Sequence, residues 1–168
     1  MGLERNADVV MLEAYAPMLA NVNPGAFQWP TNLIGYDALR SYGSPSYYMQ
    51  QMFSQYHGDV VLPTTLTATG GSQVYASVTR DSRTGTIYLK VVNAADEVQP
   101  VSVTVKGVGG VKFNGTAVVL TSASPQDTNT LSEPKRVVPV SAKVHDLSGS
   151  FDYRFAPYSI TVLQIQPK

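Results

Sequence analysis

The sequence predicts a mainly β protein: an antiparallel, jelly-roll-like β-sandwich preceded by a helix–strand–helix segment. Three observations carry that expectation. After Asp59, apolar and polar side chains alternate at period two over roughly eight short runs, the signature of half-buried strands. Turn-forming residues separate the runs, as an antiparallel sandwich requires. Before Gly58, the apolar residues recur instead at the three-to-four-residue spacing of helices. The change of period divides the chain into two expected units, residues 1–58 and residues 59–168.

In chain order, Leu3, Ala7, Val10, Met11, Ala14 and Met18 form one helical stripe, which predicts a helix from Leu3 to Met18. Pro17 and the Asn/Pro/Gly run that follows close it. Leu33-Ile34-Gly35-Tyr36 is too short for a helix and suits a buried strand. Ser44-Pro45 supplies an N-cap and a proline at the first helical position. Tyr48, Met52 and Tyr56, flanked by Met49 and Phe53, make a second apolar face over Pro45–Tyr56, and Gly58 stops it.

Strands are then expected in 60–69, 73–80, the TGTIYLKVVN run with Ile87, Leu89 and Val91, and the VSVTVKG run with Val101, Val103 and Val105. More follow in 116–122, 137–145, 150–155 and 158–166. Turns are expected at Gly70-Gly71, Asp81 to Gly85, Gly107 to Gly110, Asn114-Gly115 (a hairpin) and Ser148-Gly149. Two helices and one strand are too little to cover a core alone. They have the form of the last units of a (β/α)8 barrel, so residues 1–58 read as the remnant of one and the chain as the C-terminal piece of a larger protein.

Composition narrows the functions. Of 168 residues, 43% are hydrophobic and 14% charged, which supports a buried core and excludes disorder. Twelve basic residues balance twelve acidic ones, so no net field draws nucleic acid or anionic membrane. No apolar run approaches the roughly 20 residues of a membrane-spanning helix, and Met1-Gly2-Leu3-Glu4-Arg5 lacks the apolar region of a secretory signal. The absence of cysteine removes disulfides and thiolate chemistry.

His57 and His145, the only histidines, lie in no ligand cluster, and neither metal nor cofactor is expected. No G-x-S-x-G nucleophile elbow occurs. Glu4, Glu13, Glu97 and Glu133 read as solvated surface charges. Tyr42, Tyr47 and Tyr48 read as helix-to-sheet packing. Asp37, just past the predicted strand, has no partner carboxylate.

Longer motifs add a resemblance. GLERNADVVMLEAYAPMLANVN, WPTNLIGYD, YGSPSYYMQQMFS, GDVVLPTTL, SASPQDTNTLSEPKRVVP and FAPYSITVLQI together resemble the C-terminal portion of α-L-arabinofuranosidases of glycoside hydrolase family 51. The likeness spans essentially the whole chain. It implies a retaining enzyme with a (β/α)8 barrel and a sandwich beside it, acting on terminal arabinofuranosyl units of arabinose-containing glycans.

Retention needs two carboxyl groups about 5–5.5 Å apart. The resemblance implies that both are glutamates on earlier barrel strands, upstream of Gly2. The chain alone is therefore expected to lack catalytic residues and to have the missing N-terminal barrel as its partner. Its exposed barrel-facing surface gives it a tendency to self-associate. Extracellular or periplasmic placement is favoured for such an enzyme, its signal lying upstream. The carry-over of substrate-binding residues lands on Trp29, the only tryptophan, and on Asn32. A non-catalytic carbohydrate-binding sandwich is the alternative, with Tyr75 and Tyr88 as its candidate aromatics.

Overall fold

A computed structural model describes residues 1–26, 32–67, 73–107 and 113–167. Among them the chain is mainly β, with two helices, α1 (Gly2–Arg5) and α2 (Pro45–Gln55). A six-stranded sheet forms the centre, in the order β4 (Val60–Val61), β5 (Val74–Arg80), β6 (Ile87–Asn93), β11 (Ser159–Pro167), β8 (Phe113–Thr121) and β9 (Val140–Leu147). Every pairing in it is antiparallel. The C-terminal strand thus sits in the middle, between β6 and β8.

The period-two pattern explains how the central sheet is covered. On one face, Ile87, Leu89, Val91, Ala117, Leu163 and Ile165 form a continuous core with Phe155 and the half-buried Val101, Val103, Phe151 and Tyr153. The last five belong to the antiparallel pair β7 (Gln99–Thr104) and β10 (Ser150–Phe155), which closes this face as the second layer of a sandwich. On the opposite face Val118, Leu120 and Val162 meet Met52 and Val137, with Tyr48, Met49, Phe53 and Tyr56 packed around them. The helical stripe read in the sequence is the buried side of α2, and Ser44 caps that helix by accepting from the Tyr47 amide at 3.2 Å.

A small three-stranded sheet precedes α2. β1 (Leu19–Asn21) runs parallel to β2 (Ile34–Tyr36), and β3 (Ser41–Gly43) returns antiparallel along β2. The turn between β2 and β3 is tied by Asp37, whose carboxylate accepts from the Leu39 and Arg40 amides at 2.8 and 2.7 Å and pairs with the Arg40 guanidinium at 2.8 Å. The carboxylate without a partner in the sequence is therefore a turn anchor.

Three expectations are corrected. The helix over Leu3–Met18 is limited to Gly2–Arg5. Asn6 ends it by donating its side-chain amide to the Gly2 carbonyl at 2.7 Å, and Met11 and Leu12 beyond are 87% and 89% exposed. An amphipathic stripe with nothing to bury against does not sustain a helix of this length. In 60–69 the described strand is Val60–Val61 only.

Asn114-Gly115 is not a hairpin turn. It lies inside β8, where the register with β9 shifts between Phe113 and Gly115. A Cβ on Gly115 would stand 2.3 Å from Leu147 Cδ1, so this glycine makes room for core packing at an irregularity in the strand.

Candidate functional site

The segment 19–44 holds the residues that the sequence singles out for sugar contact. Trp29 lies outside the described residues. Asn32 lies two residues before the start of β2. There the Leu33 amide donates to the Pro17 carbonyl at 3.3 Å and the Ile34 amide to the Met18 carbonyl at 2.9 Å. Asn32 is 7% exposed, and its Oδ1 is buried with no hydrogen-bond partner among the described residues. Its backbone carbonyl accepts from the Ser44 hydroxyl at 2.6 Å. Asn32 is thus fixed through its backbone, while its side-chain oxygen has no partner among the described residues.

The tyrosines nearby have packing partners. Tyr42 lies across from Gly35 in the β2–β3 register, and a Cβ on Gly35 would come within 2.4 Å of its ring. Tyr47 covers Gly43 in the same way and meets Tyr48 edge-on with ring centroids 5.3 Å apart. Both glycines are there because aromatic rings occupy the space above them.

Several carboxylates are committed to structure. Glu4, expected to be solvated, reaches the central sheet instead. It pairs with Lys90 and accepts from the Ser77 hydroxyl, while the Arg5 guanidinium donates to the Ala76 carbonyl at 3.3 Å. Lys90 is 0% exposed, opposite Val162 in the register, with its ammonium 5.3 Å from the Phe53 ring centroid. Burial holds its pKa below the ordinary lysine value, and Glu4 opposes that shift. Period-two reading missed Lys90, because it looks like the polar, outward member of its strand.

Open clefts among the described residues hold further carboxylates, and two are relevant here. One, of 220 Å³, lies between the start of α2 and the ends of β8 and β11, lined by Pro45, Met49, Leu120, Asp127, Tyr158 and Ile160. Its carboxylate, Asp127, is occupied by the Ser122 hydroxyl and by Arg136 at 2.8 Å. The other, of 290 Å³, holds Asp59 and Asp81 beside His57 and Arg83. Asp59 accepts from the Ser82 amide at 2.7 Å, and Asp81 accepts from the Arg83 and Thr84 amides at 2.9 and 2.8 Å.

Hydrogen bonds to Ser122 hold Asp127 below its ordinary pKa, bonds to Ser82 do so for Asp59, and the Thr84 amide does so for Asp81. A retaining glycosidase needs one carboxyl protonated near neutral pH. None of these three can supply it. No group of three or more His, Cys, Asp or Glu side chains is placed to hold a metal ion among the described residues. The aromatic row that sugar-binding sandwiches use is not formed by Tyr75 and Tyr88: Tyr75 is exposed, whereas Tyr88 packs against the core beneath α2.

Fold and site together define a mainly β domain of antiparallel sheets in which the buried side-chain oxygen of Asn32 has no hydrogen-bond partner among the described residues. Comparison with known proteins gives the family. The model described as the alpha-L-arabinofuranosidase C-terminal domain matches residues 1–159, and the chain belongs to that family.

It is 34% identical to a probable alpha-L-arabinofuranosidase A of Aspergillus flavus, over 97% of this chain and 25% of that protein. With alpha-L-arabinofuranosidase 2 of Arabidopsis thaliana it shares 34% identity over 83% of this chain and 20% of the relative. An arabinose-bound α-L-arabinofuranosidase of glycoside hydrolase family 51 superposes with a TM-score of 0.89 at 33% identity, covering 99% of this chain and 26% of its own. The chain spans about a quarter of the length of the curated relatives it matches.

Proposed function

We propose that this chain is the non-catalytic C-terminal part of a retaining α-L-arabinofuranosidase that removes terminal α-L-arabinofuranosyl residues from arabinose-containing polysaccharides. The observation that carries this reading is the family match over residues 1–159 in a chain whose relatives are about four times longer. The two carboxyl groups of the retaining reaction belong to the part of the enzyme before Gly2. The role of residues 59–168 is to support the barrel that holds them.

Residues 1–58 are, on this reading, the last units of that (β/α)8 barrel. The parallel register of β1 with β2 supports this, because parallel pairs belong to sheets covered on both faces. The exposed Val9, Met11, Leu12, Met18 and Leu39 are the apolar surface such a covering would bury. Against it, the stripe from Leu3 to Met18 has the contacts that a full helix needs.

Trp29 and Asn32 are the substrate contacts of the intact enzyme. Both are carried over from the family resemblance. An indole face stacks on the C–H face of a sugar, and the Oδ1 of Asn32, which has no partner among the described residues, accepts from a sugar hydroxyl. A supporting domain and a carbohydrate-binding module differ in one measurement. Calorimetric titration of the purified chain with arabinan and arabinoxylan is expected to give no heat of binding. Saturable binding to either polymer would replace the supporting role with the binding one.

A further inference from the structure

The connection 122–139 joins β8 to β9 with no helix or strand of its own. Connections longer than about 12–15 residues are uncommon in compact domains unless they do something beyond joining. This one is held in shape by its own side chains. Ser122 donates to Asp127, Arg136 pairs with Asp127, and Asn129, 0% exposed, bonds Val137 twice. Asn129 Oδ1 accepts from the Val137 amide at 2.7 Å, and Nδ2 donates to the Val137 carbonyl at 2.9 Å.

The same Nδ2 also donates out of the sandwich loop, to the Gly43 carbonyl at 2.8 Å. Gly43 ends β3, and the next residue is bound to the start of β2 from two sides. The Ser44 amide donates to the Leu33 carbonyl at 2.8 Å and its hydroxyl to the Asn32 carbonyl. Direct bonds therefore run from Asn129 to the Gly43–Ser44 corner and on to Asn32. At the end of that path stands a buried amide oxygen with no donor among the described residues. Buried polar atoms are rarely left unpaired, and those that are call for an explanation such as a ligand.

We infer that Asn129 is a positioning residue: through Gly43 and Ser44 the sandwich loop fixes where Asn32 presents its side-chain oxygen to the arabinofuranosyl group. This rests on the proposed reading of Asn32 as a sugar contact. It gives the sandwich a part in substrate binding that simple support of a barrel does not include. Asn129→Asp removes the donors to the Gly43 and Val137 carbonyls but keeps the acceptor for the Val137 amide, so it cuts the path while retaining one of the two bonds to Val137. Ser44→Thr keeps the hydroxyl that Ser44→Ala removes.

The test uses the full-length enzyme of the proposal with an aryl α-L-arabinofuranoside, and amide hydrogen exchange on the chain itself. Asn129→Ala, Asn129→Asp and Ser44→Ala are expected to raise KM about fivefold with kcat within about twofold, the pattern of a misplaced ground-state contact. Ser44→Thr is expected to restore the KM. In the chain, the Asn129 variants should speed exchange at Ser44 and Ile34. Asn93→Ala, which removes an equally buried asparagine elsewhere in the sandwich, should leave both amides and the KM unchanged.

If Asn32→Ala raises KM while every Asn129 variant leaves it at the wild-type value, the positioning role is overturned and the sugar contact stands. If Asn32→Ala leaves KM unchanged, the sugar contact itself falls, and the inferred role of Asn129 falls with it. Accelerated exchange at Ser44 in the Asn129 variants would then report a structural tie alone.

Discussion

Glu4 and Lys90 show how far a residue's role depends on what the fold brings to it. In the sequence Glu4 belongs to a short charged stretch and Lys90 to the polar side of a strand. In the structure the Lys90 ammonium is fully buried with the Glu4 carboxylate against it. Breaking such a pair from one side strands a charge, at a typical cost of 3–5 kcal/mol, whereas replacing both partners is often neutral. Glu4→Gln is therefore expected to lower the unfolding free energy by about 3 kcal/mol, and Glu4→Gln with Lys90→Met to recover most of it, read by urea denaturation.

The aspartates set a second, pH-dependent effect. Asp37, Asp59, Asp81 and Asp127 are all held below their ordinary pKa of 3.8 by hydrogen bonds. A depressed carboxyl binds fewer protons folded than unfolded, so its contribution is complete above 3.8 and is lost as pH falls through the folded value. The melting temperature should hold from pH 7 to about 5 and fall below about 4, and the fall should be shallower in Asp59→Asn with Asp81→Asn.

At the scale of elements, the best-legible parts were those whose partner lies within the chain. The stripe of Tyr48, Met52 and Tyr56 finds the central sheet, and Met52 is buried to 1% exposure. Met52→Ala should cost about 2–5 kcal/mol in the same denaturation experiment, because the cavity beneath α2 is walled by β-strands that cannot collapse into it. The β6 and β11 runs were legible for the same reason: their alternation matches two buried faces.

The first helix was not legible, since its stripe from Leu3 to Met18 has no described surface to meet and only Gly2–Arg5 is helical. Asn114-Gly115 misled in another way. An Asn-Gly pair favours a hairpin turn locally, but the packing of Leu147 over Gly115 uses the glycine inside a strand. Strands β1 and β3, three residues each, are too short for any period to appear. Of the candidate site, Asn32 came from motif resemblance, and Asn129 from no sequence pattern at all, because its bonds span 86 residues to Gly43.

For the whole molecule, the account rests on a division of labour. Asp59, Asp81 and Asp127 are tied into turns and an ion pair, and the proposed function puts the chemistry in a part of the enzyme that this chain does not contain. Coverage of 99% of this chain, against 26% of the arabinose-bound relative, fits that division. The most direct measurement is hydrolysis of an aryl α-L-arabinofuranoside by the purified chain beside the full-length enzyme, at equal molar concentration. The account predicts turnover by the full-length enzyme and none above the buffer rate by the chain. Turnover by the pure chain that persists through successive purification steps would contradict it, since it would require an acid–base pair within residues 1–168.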